Sequence, residues 1–158
     1  MNRRLPTFAL LLGIAGLVPF AVCALEALST TDPARATRFV AALIFYGAVT
    51  LAFLGGVHWG LVLEAGPTVR ERARLLLGIA SSLVGWLALL VWLIGLEAPS
   101  LAVLTVGFVA LIAAESQLGR NGLMPRAYLL LRWGLSIVVI LILATTLTVR
   151  LVHARIIF

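Results

Sequence analysis

An all-α integral membrane bundle of five transmembrane helices is the fold class this sequence predicts, and three observations predict it. Mean hydropathy is +1.16. Hydrophobic residues make up 63% of the 158 residues and charged residues 11%, against about 25% charged in a soluble domain. The apolar residues fall into five runs, each near the roughly 20 residues that a helix needs to cross a bilayer. This composition excludes a soluble globular enzyme. It also excludes a disordered chain, which requires low hydrophobicity. No period-two alternation suggests a barrel.

The first helix is expected over about 8–28. Its charged start, Met1-Asn-Arg-Arg, invites comparison with a signal peptide. The apolar run exceeds the roughly 7–15 residues of a signal core, so it reads as a retained helix. Gly13 and Gly16 precede Pro19, where a kink is expected. The second helix is expected over 39–63, after Asp32-Pro33, an N-cap followed by proline at the first helical position. Thr68 and Glu71 have capping-box spacing before a third helix over 75–96. Pro99-Ser100 can start the fourth, over 101–118. Asn121-Gly122 breaks the chain, and Pro125 can open the fifth, over 128–152. Short connections leave residues 1–158 as one transmembrane domain. The odd helix count and lack of a repeat argue against an inverted-repeat transporter.

All 12 basic residues are arginine, against 6 acidic residues, for a net charge of +6. The arginines sit singly or in small groups between apolar runs. They read as topology determinants and not as a nucleic-acid footprint. The N-terminus and the 64–74 and 119–127 loops hold most of them, including Arg70, Arg72, Arg74, Arg120 and Arg126. The positive-inside rule therefore puts the N-terminus inside and the C-terminus outside. Cys23 lies within an apolar run and can form neither an internal disulfide nor a CxxC site.

Ionisable groups within a bilayer are expensive and are functional candidates by default. At 1.5 Å per residue, His58 lies about 7 Å, Glu115 about 5 Å and Arg132 about 6 Å from the inner ends of their helices. Arg132 sits on a stripe with Tyr128 and Ser136 at i,i+4 spacing. Ser81 and Ser82 reach similar depth, and Ser116 and Gln117 flank Glu115. The outer half carries mainly threonines, which can bond to their own helix backbone. An inner pocket fits this asymmetry better than a continuous pore does. The ligand-binding or polar-cluster candidates are His58, Trp59, Glu115, Arg132, Ser82 and Gln117. The blander reading is that Glu115 and Arg132 neutralise each other between packed helices, or that Arg132 snorkels to the surface. Trp59 also suits an aromatic belt.

No catalytic residue set, phosphate loop or metal-ligand spacing appears, and no cofactor is expected. The two histidines, His58 and His153, fall near opposite ends of the spans, which excludes bis-histidine haem within one chain. Gly56 and Gly60 have the small-xxx-small spacing that lets helices approach closely, repeated by Gly78 and Ser82. Gly13, Gly16 and Gly55 complete the helix-packing candidates. Packing within the chain is the plain expectation, and a partner-binding face the alternative.

The string Phe53-Leu-Gly-Gly-Val-His-Trp-Gly60 resembles the signature of a family of uncharacterised membrane proteins. That family includes bacterial proteins and the transmembrane-protein-69-like proteins of animal mitochondria. Residues 12–20 and 128–132 are also similar to the family, and the resemblance spans nearly the whole chain. It implies an inner-membrane location in bacteria, or by descent in mitochondria. It draws attention to Gly55, Gly56, His58, Trp59 and Gly60 without assigning them a role.

Two functions are expected. The first is a non-catalytic accessory, assembly or scaffold subunit of a larger membrane complex, such as an energy-converting one, with other membrane subunits as partners. The second is a binder or carrier of a small amphipathic ligand, such as a quinone or lipid, through the inner polar site. A third reading, an integral membrane enzyme, would use Glu115 and His58 as acid and base. No nucleic acid is expected as a partner.

Overall fold

The structure, a computed structural model, describes residues 7–65, 71–119 and 126–156. These form six α-helices: α1 (Thr7–Ala15), α2 (Val18–Ser29), α3 (Pro33–Ala65), α4 (Glu71–Leu93), α5 (Glu97–Gly119) and α6 (Arg126–Ile156). Among the described residues, five stretches are long and apolar enough to cross a membrane, and α1 and α2 share the first of them. The expected capping of the third helix by Thr68 and the breaks at Asn121, Gly122 and Pro125 lie outside the described residues.

The bundle has a proximal end, where α1 begins, α3 passes to α4 and α5 passes to α6, and an opposite, distal end. Both distal turns are short and specified locally. At the turn into α3, Ala34 N–H donates to Asp32 Oδ1 at 2.9 Å, with Pro33 at the first helical position. This cap starts α3 six residues before the expected 39. The apolar pattern marks where the helix enters the bilayer, whereas the cap marks where the helix begins. At the turn after α4, Gly95 takes φ +83°. Leu96 N–H donates to Val91 O and Gly95 N–H to Trp92 O, which closes a Schellman motif. Helix α5 then starts at Glu97, with Pro99 in its first turn.

The first span is broken. Pro19 lies in the first turn of α2 and cannot donate to the preceding turn. Leu17 N–H donates to Ile14 O instead, in a tighter turn. Tyr46 on α3 holds the break by donating its hydroxyl to Gly16 O at 3.0 Å.

Helix α3 packs against α2, α4 and α5, while α6 closes against α5, α2 and α1. The α3–α4 contact depends on absent side chains. A Cβ on Gly55 would stand 2.7 Å from Gly78 O, and one on Gly85 2.8 Å from Ala48 O. Phe20, Leu43, Ile44, Leu104, Phe108 and Leu143 form part of one fully buried core. Phe20 sits edge-on to both Tyr46 and Phe108, with ring centroids 4.9 and 6.3 Å away. The outer surface is apolar as well. Leu63, Phe53 and Leu93 are each at least 70% exposed, an arrangement stable only where the surrounding solvent is lipid.

Candidate functional site

Each inward stripe recurs at alternating spacings of three and four residues, which keeps one helix face toward the centre. On α3 the stripe runs Leu51, Gly55, His58, Val62; on α5 it runs Leu104, Phe108, Leu111, Glu115; on α6 it runs Arg132, Ser136, Val139, Leu143. Toward the proximal end each stripe turns from apolar to polar. The fold thus delivers His58, Glu115 and Arg132 to one layer, exposed by 0%, 1% and 5%.

Glu115 is the hub. Its Oε1 forms an ion pair with Arg132 Nη2 and lies 3.0 Å from His58 Nε2. The carboxylate accepts, so the imidazole donates through Nε2–H. Arg132 Nη2 also donates to Leu54 O at 2.8 Å and so ties α6 to α3. His58 Nδ1 and Glu115 Oε2 are buried and meet no hydrogen-bond partner among the described residues.

The other candidates are placed elsewhere. Trp59 is partly exposed and donates through Nε1 to Leu75 O at 3.2 Å. Ser82 is exposed on α4, and its hydroxyl bonds back to Gly78 O. Ser81, one residue earlier, takes the inward position. Gln117 is exposed. The side chains of Tyr128 and His153 lie outside the described residues. Among the glycines, Gly13 and Gly55 are at close contacts: a Cβ on Gly13 would stand 2.7 Å from Leu135 Cδ1. Gly16 lies at the break in the first span. A Cβ on Gly56 or Gly60 would meet nothing within 4 Å. Those two positions face outward, with Gly56 lining a shallow groove beside Trp59, Gly78 and Ser82.

A pocket of about 340 Å³ adjoins the cluster. Its walls come from α1, α2, α3 and α6, with Phe108 from α5. Phe20, Phe53, Leu54, Leu135 and Val139 make it predominantly apolar, and Arg132, Ser136, Tyr46 and Thr50 supply polar atoms. Val49 and Phe53 line it while being 64% and 70% exposed. Its mouth therefore opens sideways, where the acyl chains of a bilayer would lie. His58 and Glu115 lie behind Arg132, outside the pocket lining.

One residue escaped the sequence reading. Arg74, counted there among loop arginines, is 2% exposed. It heads a stripe of small residues on α4 (Gly78, Ser81, Gly85, Ala88) that packs on α3. The alternating spacing of that stripe, followed back one turn from Gly78, was the signal that could have found it.

Among the described residues, no group of three His, Cys, Asp or Glu side chains comes together as a metal site. The fold and the buried layer define a multi-pass membrane protein whose spans are held together by charge as well as by apolar packing. The chain belongs to the family described as protein of unknown function DUF3429, which it matches over residues 5–148. It is similar to transmembrane protein 69 of Xenopus tropicalis, with 38% identity over 86 residues, and to that of Mus musculus, with 36% over 86 residues. Each match covers 54% of this chain and about a third of the relative, 33% and 34% respectively. No solved structure matches.

Proposed function

We propose that the protein binds one neutral amphipathic molecule of the lipid phase, with a quinone-type head group fitting best. The observation that supports this reading most is the sideways-opening apolar pocket of about 340 Å³ whose wall includes Arg132. Apolar cavities of roughly 300–1,000 Å³ with a few convergent polar groups are the usual form of small-molecule sites. A hydrocarbon tail would lie along Phe53, Leu135 and Val139. A carbonyl head would lie at the Arg132 side of the pocket, beside Ser136 and Tyr46. Glu115 already balances the charge of Arg132. A neutral carbonyl head therefore suits this pocket better than an anionic one, which would leave the pair in negative excess. The arginine bias and the family resemblance support a location in the bacterial inner membrane, or the mitochondrial inner membrane in a eukaryote, with the proximal end inside.

The test is purification in a gentle detergent, followed by mass spectrometry of the lipid-phase molecules that remain bound. The wild type should retain a near-stoichiometric quinone or other neutral lipid. Val49→Trp, at the lipid-exposed mouth, should lose it while keeping its helical circular-dichroism spectrum. A wild type that carries nothing beyond bulk membrane lipid would overturn the reading.

A second reading, as an accessory or assembly subunit of a larger membrane complex, is favoured by one other observation. A Cβ on Gly56 or Gly60 would meet nothing within 4 Å among the described residues, and such small-residue faces admit the backbone of a second helix. Gly56→Leu should then abolish co-purification of partner subunits.

A further inference from the structure

We propose that Arg74 forms a separate anion site at the proximal end of the bundle, built for two oxygens of a phosphate group. Arg74 is 2% exposed. Its Nε and Nη2 atoms are buried and meet no acceptor among the described residues. No ion pair to Arg74 occurs among the described residues. These two atoms form the side-on fork of the guanidinium, the pair of parallel donors that phosphate and carboxylate groups accept in bidentate fashion.

The placement adds a second reason. The hydrogen bond from Trp59 Nε1 to Leu75 O sets the first turns of α4 beside the His58–Trp59 turn of α3. Arg74 therefore belongs to the layer of His58, Glu115 and Arg132. Among the described residues, the carboxylate of that layer, Glu115, pairs with Arg132 and not with Arg74, and a buried charge without a counter-ion is expensive. Arg74 is also the fourth residue of a 23-residue helix. Side chains lean toward a helix N-terminus, and the positive dipole end of a helix favours an anion there. This site shares no residue with the pocket lined by Arg132, so either can fail without the other.

Phosphate at this position can come from a phospholipid head group of the adjoining leaflet or from a soluble phosphate. Delipidated protein in non-ionic detergent, assayed by native mass spectrometry and thermal unfolding, separates the two. The probes are phosphatidylglycerol, diacylglycerol with the same acyl chains, and inorganic phosphate. Phosphatidylglycerol should bind and raise the melting temperature while diacylglycerol does not. Arg74→Gln should weaken that binding about tenfold or more, and Arg74→Lys should retain part of it. Arg72→Gln, at an exposed neighbour, should leave it unchanged. Stabilisation by inorganic phosphate that depends on Arg74 would support the site and assign it to a soluble anion. If Arg74→Gln does not fold, the phosphatidylglycerol and diacylglycerol comparison on wild type and Arg74→Lys decides. Binding that is equal for the charged and neutral lipids without any phosphate effect, or unchanged in Arg74→Gln, would overturn the proposal.

Discussion

Glu115 accepts from two side chains on two other helices, and removing it has consequences that its own size does not suggest. Glu115→Ala would leave the guanidinium of Arg132 buried beside Leu54 O without its counter-charge. Breaking one side of a buried pair costs about 3–5 kcal/mol, whereas replacing both partners by apolar residues is often neutral. Thermal unfolding in detergent should therefore show a large loss for Glu115→Ala and recovery of most of it in Glu115→Leu/Arg132→Leu. A loss in the double variant equal to the sum of the single losses would show that the two residues act independently. His58, Glu115 and Arg132 were legible in the sequence because each is a polar residue set well inside an apolar run. Arg74 was not, because it stands in an arginine-rich stretch just before the run. Its burial depends on α4 starting at Glu71, earlier than the apolar pattern requires.

The same gap between apolar pattern and helix length recurs in the elements. All five spans were legible from run length, and the caps at Asp32 and the proline near the start of the fourth helix were read correctly as punctuation. Most helix ends extend beyond the runs because capping acts on the backbone regardless of where lipid begins, whereas α4 stops at Leu93, short of the expected 96, because Gly95 closes the turn. Helix α3 has 33 residues, about 50 Å at 1.5 Å per residue, against roughly 30 Å of hydrocarbon. Its first turns lie outside that thickness, where Arg35 pairs with Glu26 at 2.7 Å and lies over the Phe39 ring. The glycines were less legible, since spacing gives a face but not what covers it. Gly55 and Gly56 are adjacent, yet one is packed against α4 and the other is open. Gly55→Leu should separate α3 from α4 and lower the melting temperature sharply. Gly56→Leu should change the stability of the isolated chain by less than about 0.5 kcal/mol. At the break in the first span, Tyr46→Phe removes one hydrogen bond and should cost about 0.5–1.5 kcal/mol. The same variant should speed exchange of any molecule held in the pocket that lies against the break.

Across the whole molecule the two halves differ in kind. The distal half is an apolar core with ion pairs at its surface, including Arg150 to Glu97 at 2.6 Å. The proximal half carries the buried charges. Orientation is testable through Cys23, the single cysteine. In a Cys23→Ala background, Thr31→Cys in the exposed turn between α2 and α3 should react with a membrane-impermeant maleimide on intact bacteria. Protection in intact cells and reaction after lysis would invert the proposed topology.

The ion pair between α5 and α6 also bears on how the chain enters the membrane. Three residues separate α2 from α3, and three separate α4 from α5, so each pair can insert as a ready-made hairpin. Helix α6 emerges after α5 and carries Arg132, which an isolated span would insert at a penalty of about 2.5–3.5 kcal/mol at mid-depth. Glu115 is by then already in place on α5. Order along the chain thus places the counter-ion before the charge that needs it.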